Sequence, residues 1–177
     1  MTLTTMILKY RIATQADLTD LVHLINAAYR QKNENTWTTE AEFVVGERIS
    51  CNQLEQQLEN NHFHLLVAEF EHQIVACIAL TFDTLAVEIG TFAISPDWQN
   101  QGLGKLVLAY AETYALSIQA DLDIYVMWVL NVRTELIEFY TRRGYVQTGM
   151  VEDYPLDANV GIPQVDLHLV EMRKMIQ

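Results

Sequence analysis

A chain of 177 residues and 20.3 kDa has room for one domain and hardly for two, on a norm of about 100–200 residues per domain. Half of its residues are hydrophobic and a tenth aromatic, with seven Gly and three Pro, which excludes a disordered chain and a collagen-like one. The formal charge of −12, from 23 acidic and 11 basic residues, repels phosphate backbones and argues against nucleic acid as a partner.

The two cysteines, Cys51 and Cys77, cannot form a disulfide framework and lack the paired spacing of a zinc site, so both read as reduced thiols. The stretch Met1 to Lys9 has no basic start before an apolar run and no small-residue cleavage site, and the longest strictly apolar run, Ile74 to Leu80, is far short of the ~20 residues that span a bilayer. A cytoplasmic protein with no membrane partner is expected. Charge is uneven: residues 99–145 carry 4 basic against 5 acidic residues, while residues 1–98 carry 5 against 13. An anionic ligand meets least resistance in the former stretch.

In chain order, Ile7 to Ala13 reads as a strand, and Thr14 then caps a helix whose Leu18, Leu21, Val22, Ile25 and Tyr29 fall three and four apart. A polar stretch from Arg30 to Glu42 holds Trp37, and a second helix is predicted over Ile49 to Asn60. Phe63 to Phe70 and Gln73 to Phe82 read as strands joined by a tight turn at Glu71-His72, and Val87 to Ser95 as another. From Gly102, the stripe Leu103, Val107, Tyr110, Ala111, Tyr114 and Ile118 marks a helix, with Lys105, Glu112 and Gln119 off the stripe. Leu122 to Leu130 alternates as a strand, and Thr134 to Arg143 reads as a short helix stopped by Gly144. Tyr145 to Met150 and Val165 to Met172 complete an α/β chain of the α+β kind, with a central, mostly antiparallel sheet. Nothing marks a domain boundary within 1–177.

The segment Glu88 to Lys105 runs from a strand through a turn at Pro96 into a helix start, with Gly102 and Gly104 at the mouth of that helix. Glycines there let backbone N–H groups approach a ligand, and the helix end adds about half a positive charge, the makings of a pyrophosphate cradle. A Walker A loop would need Gly at Gln99 and Ser or Thr at Leu106, and a dinucleotide fingerprint would need Gly at Val107. What remains is Gln99-x-x-Gly102-x-Gly104. This resembles the acyl-CoA-binding motif of the GNAT superfamily of N-acetyltransferases, and Tyr140 ahead of Gly144-Tyr145 resembles the second half of that family's signature.

The resemblance implies a mixed, mostly antiparallel sheet of six or seven strands with helices on both faces, and transfer of an acetyl group from acetyl-CoA directly to a primary amine. In such enzymes, Phe92, Ala93 and Ile94 pair with the pantetheine arm, and the loop of Gln99, Asn100, Gln101, Gly102, Leu103, Gly104 and Lys105 binds the pyrophosphate. Lys105 and Arg143 reach toward CoA phosphates, although Arg143 could equally serve as a helix C-terminal charge. Tyr140 aligns with the tyrosine that protonates the departing thiolate, the other reading being a packing tyrosine. Glu88, expected on the same strand face as Gly90 and Phe92, takes the place of a carboxylate that removes the amine's proton through water, the other reading being an ordinary strand carboxylate.

One departure stands out. Many family members carry Asn seven residues before the Tyr, where this chain has Arg133, and its Asn131 lies nine before. The segment Arg133 to Tyr145 together with Trp37-Thr38-Thr39-Glu40 looks like a small-molecule branch of the superfamily, which offers Trp37 and Glu40 to the acceptor. A small-molecule or peptide amine is the expected partner, a homodimer is an open option, and no metal is expected. His62 and His64 share a strand face but have no third ligand near them. A non-catalytic acyl-CoA-binding domain of the same fold is the alternative.

Overall fold

The computed structural model describes residues 7–177, so Met1 to Met6 of the expected domain and N-terminal segment lie outside the described residues. Continuous apolar runs, buried on both faces, build the centre of the sheet. Phe63–Phe70 (β3) and Gln73–Phe82 (β4) form a hairpin across Glu71 and His72, whose φ values of 48° and 67° give the left-handed two-residue turn that matches strand twist. Lys9–Ile12 (β1) pairs with β3 on one side, and Ala86–Ile94 (β5) pairs with β4 on the other. Ile124–Leu130 (β6), His168–Met175 (β9) and the edge strand Val146–Asp153 (β7) complete a seven-stranded sheet in the order β1-β3-β4-β5-β6-β9-β7. A separate two-residue ladder joins Val44–Val45 (β2) to Ile162–Pro163 (β8).

Helices cover both faces. Leu18–Arg30 (α1) and Cys51–Leu58 (α2) pack Leu21, Ile25 and Leu54 on Leu65, Val67, Cys77, Ala79 and Ala93. Leu103–Ile118 (α3) packs Leu103, Val107, Leu108 and Ala111 on Leu66, Ile78, Leu80, Val87 and Ile89, where Tyr140 of Thr134–Thr141 (α4) joins them. Each large side chain so buried contributes about 1.5–3 kcal/mol. The expected helical stripe is displaced at its end: Ile118 is exposed, and Leu108 takes a core position.

Some boundaries differ from expectation for local reasons. Thr14 donates its N–H to Asp17 at 2.8 Å, and a 3₁₀ turn, Gln15–Asp17, precedes α1. Arg11 ties this corner down, its guanidinium 2.7 Å from Asp17 and 2.6 Å from Glu69. β7 runs past Met150 because Gly149, at φ 88°, allows a bulge opposite β9 between Gln147 and Val151. β9 starts at His168, opposite Asp153, and the chain before it pairs Ile162–Pro163 with Val44–Val45.

Two irregularities open the sheet. In β5, Cys77 faces Ala93 and Ala79 faces Gly90, leaving Thr91 and Phe92 opposite Ile78, and Thr91 takes φ 41°. Among the described residues, β5 and β6 are the one parallel pair of neighbours, and their ladder ends at Glu88 and Val126. Beyond that point the strands part.

Candidate active site

Between the parted ends of β5 and β6 lies a cavity of about 720 Å³, bounded also by the mouth of α3, by α4 and by the segment around Trp37. Its cationic end is built from backbone. Gly102 caps α3 at φ 80° without any side-chain cap bond, so the first-turn N–H groups of Leu103, Gly104 and Lys105 stay open, as the geometry of a helix start requires. A Cβ added at Gly104 would stand 3.5 Å from the Phe139 ring and 3.8 Å from Phe92. Lys105, Arg142 and Arg143 also line the cavity. Arg143 donates to the Phe139 carbonyl at 2.6 Å and lies 3.5 Å over the Phe139 ring, and its buried Nε has no partner among the described residues. Burial, followed by the neighbouring Arg142, lowers its pKa, so a negative ligand would relieve both.

Of the loop from Gln99 to Lys105 all but Gln101 line the cavity, yet the side chains of Gln99 and Asn100 are engaged elsewhere. Gln99 is buried, with its Oε1 accepting from the N–H groups of Trp37 at 2.8 Å and Thr38 at 3.2 Å and its Nε2 donating to the Ile94 carbonyl at 3.2 Å. Its amide is thus a clasp between segments. Asn100, at φ 59°, donates from Nδ2 to the Asn35 carbonyl at 3.1 Å, and Gln101 donates to the Asp97 carbonyl at 3.1 Å. Phe92 and Ile94 line the cavity, while the Ala93 side chain is buried toward α1. The expectation that Glu88 and Phe92 share a strand face is corrected: the bulge at Thr91 slips the alternation by one, so Phe92 packs with Val87 and Ile89 on the α3 side.

Tyr140 is buried on α4, edge-to-face with Phe139 and Tyr145 at ring distances of 5.2 and 5.9 Å, and it lines the cavity. Burial, with Tyr29 next, raises its pKa above the ordinary tyrosine value, so the phenol stays protonated. Glu88 also lines the cavity while remaining open to solvent. Partial desolvation of its carboxyl by the cavity walls, followed by the charge of Glu152, raises its pKa. Glu152 itself comes from β7, outside every motif.

Trp37 and Glu40 both line the cavity, the Trp37 ring 5.7 Å from Phe139, but the Glu40 carboxylate is already ion-paired. It is buried between Arg30, at 2.5 Å, and Arg133, at 3.4 Å. Arg133, the departure noted in sequence, is 4% exposed and is also bound to Thr38 and, at 2.8 Å, to Glu135. Burial works to raise the Glu135 carboxyl, and the hydrogen bonds from Thr38 and Arg133 outweigh it, leaving its pKa lowered. Tyr29, Trp98 and Glu152 also line the cavity and were not singled out by motif. Tyr29 is indistinguishable in sequence from the other members of the α1 stripe.

Other candidates have ordinary roles. His64 Nδ1 lies 2.9 Å from the Tyr114 hydroxyl, and no group of three metal-ligating side chains is gathered among the described residues. Burial pushes the Cys77 thiol up to about 12. No helix among the described residues is long and apolar enough to cross a membrane.

The family model of the acetyltransferase (GNAT) family matches residues 19–145, and the chain belongs to that family of acyltransferase enzymes, which use acetyl-CoA as co-substrate. An uncharacterized N-acetyltransferase from Chlorobaculum tepidum is 27% identical over 96 residues, which span 52% of this chain and 57% of that relative. The crystal structure of the ribosomal-protein-S18-alanine N-acetyltransferase from Escherichia coli has a TM-score of 0.72 at 14% identity, covering 97% of this chain and 95% of that one. Mutant forms of the spermidine/spermine N-acetyltransferase from Vibrio cholerae give 0.69 at 18% identity, covering 95% and 93%. Both structures share the fold.

Proposed function

We propose that the chain, as a single acetyltransferase domain, transfers the acetyl group of acetyl-CoA directly to a primary amine. The observation that carries this reading is a polarised cavity. Open backbone donors stand at the mouth of α3, and Lys105, Arg143, a protonated Tyr140 and the raised carboxylate of Glu88 line the same space. The open N–H groups of α3 suit the pyrophosphate of CoA, and the parted edge of β5 suits the amide-bearing pantetheine arm. The nitrogen lone pair of the neutral amine attacks the thioester carbonyl carbon, and the C–S bond breaks as the tetrahedral intermediate collapses. Tyr140 gives its proton to the leaving sulfur and regains one from solvent, while Glu88, directly or through water, takes the proton that an arriving ammonium must shed before attack, and the remaining proton on the nitrogen leaves to solvent.

The Escherichia coli protein acts on a ribosomal-protein alanine and the Vibrio cholerae protein on spermidine and spermine, so both peptide and small-molecule amines belong in the test. The acidic chain favours a cationic acceptor. The test is a continuous assay of free CoA thiol with spermidine, an aminoglycoside and an alanine-terminated peptide. Amine-dependent thiol release is expected with at least one. No release above the amine-free rate with any member of a broad amine panel would refute the reading.

A further inference from the structure

We propose that Arg133 is a positioning residue that straps the segment Trp37–Glu40 to α4 and so holds the Trp37 indole as a wall of the acceptor space. That last clause rests on the function proposed above; the strap itself does not. The Arg133 guanidinium is buried; it donates to Thr38 Oγ1 and, at 2.8 Å, to Glu135 Oε1, and it stands 3.4 Å from Glu40 Oε1 as an ion pair. Two of these partners lie on the strap and the third in the first turn of α4. Thr38 closes the triangle by donating its hydroxyl to Glu135 at 2.6 Å. The other oxygen of Glu40 belongs to Arg30, which also donates to the carbonyls of Gly46 at 2.8 Å and Val160 at 2.7 Å. Two guanidinium groups and two carboxylates therefore balance in charge, and the buried members are paired.

The strap is gripped at a second point. Gln99 accepts from the N–H groups of Trp37 and Thr38, so Trp37 sits directly beside both grips. With the main chain fixed, the half-exposed indole lies tilted against Phe139, the residue before Tyr140. Arg133 also begins α4 through its carbonyl, which accepts from Leu136 at 3.0 Å and Ile137 at 3.1 Å. One residue thus sets the start of the helix that carries Tyr140 and the distance from that helix to the strap. A lysine, with a compact charge on a flexible stem, cannot reproduce three contacts made in a planar fork.

The test is fluorine NMR of protein grown on 5-fluorotryptophan, in which three tryptophan signals are expected and Trp37→Phe assigns one. It is read with and without CoA, alongside calorimetry with CoA and thiol-release kinetics with the panel amine that the unaltered protein acetylates fastest. Arg133→Met leaves Glu40 paired with Arg30 and Glu135 partly exposed, so neither carboxylate becomes a buried unpaired charge. In this variant the Trp37 signal should move toward that of free 5-fluorotryptophan. The amine KM should rise by about tenfold or more, with CoA affinity within about threefold. Arg133→Lys should not restore either. A fall in thermal stability with an unmoved Trp37 signal and unchanged KM would overturn the proposal and leave Arg133 a structural residue. Should Arg133→Met fail to fold, Thr38→Val removes the hydroxyl common to Arg133 and Glu135 on the strap alone, and an unmoved Trp37 signal there overturns the proposal equally. If no amine is acetylated, the function proposed above fails, while the fluorine signal still decides the strap.

Discussion

Replacing Gly104 with Val tests the helix mouth where the phosphates of CoA are proposed to sit. Gly104 has no positive φ, and its missing Cβ would meet Phe139 at 3.5 Å and Phe92 at 3.8 Å, both ordinary contacts. The fold should therefore tolerate a side chain: gain in helix propensity and crowding of the rings by the γ-methyls oppose each other, each on the order of 1 kcal/mol. The ligand should not tolerate it, because those methyls must occupy space between Phe92, Phe139 and the open N–H groups. Losing two hydrogen bonds to a charged phosphate, at about 1.5–3 kcal/mol each, lowers CoA affinity by about a hundredfold or more. Gly102→Ala is the control of opposite sign, since φ 80° makes any side chain there cost the fold about 1–2 kcal/mol. Calorimetry with CoA and with pantetheine, which lacks the pyrophosphate, reads both. A large loss for CoA and a small one for pantetheine is expected; equal binding of CoA by Gly104→Val and the unaltered protein would refute the assignment.

Tyr140→Phe should lower kcat by roughly 10²–10⁴ with acetyl-CoA affinity nearly intact, as read by steady-state kinetics and calorimetry. Glu88→Gln should slow turnover near neutral pH and recover part of the loss near pH 9, where more of the amine arrives neutral; a flat ratio to the unaltered protein across about pH 6–9 would count against Glu88 as the base. Because the charge of Glu152 helps raise the Glu88 pKa, Glu152→Gln should move the acid limb of the pH–rate profile to lower pH. Asp17 is held down to about 2 from 3.8, chiefly by Arg11. Its lowered folded-state pKa means stability that is full above about pH 4 and is lost as pH falls toward 2, on the order of 1–2 kcal/mol, and Asp17→Asn should remove that part of the acid dependence in chemical denaturation.

Where periodicity and turn chemistry act locally, sequence and structure agree: β3 and β4 have the expected bounds, and α3 starts immediately after Gly102. The two-residue ladder of β2 and β8 carries no periodicity, and it forms only because the chain brings residues more than a hundred positions apart together. The slip at Thr91 turns on one backbone angle at a residue type that gives no warning, and it separates Phe92 from the face of Glu88. Gln99 stands in the expected motif, but its side chain is turned to the strap by long-range partners at Trp37 and Thr38. Glu40 and Arg133 were visible as a charge and as a departure from a family pattern. Their pairing, which engages both carboxylate oxygens of Glu40, depends on Arg30 at the end of α1 and Arg133 at the start of α4 converging on the same segment.

The most direct measurement follows acetyl-CoA labelled in its acetyl carbonyl with carbon-13, mixed with the protein and the amine panel and observed by NMR and mass spectrometry. The label should leave the thioester and appear in an amide of the amine, one acetyl group for each CoA thiol released, with Tyr140→Phe slowing that transfer and Gly104→Val abolishing it at low acetyl-CoA. Tight binding of acetyl-CoA with the label remaining in the thioester, or passing only to acetate whichever amine is supplied, would contradict amine acetylation and leave a domain that holds acyl-CoA without using it.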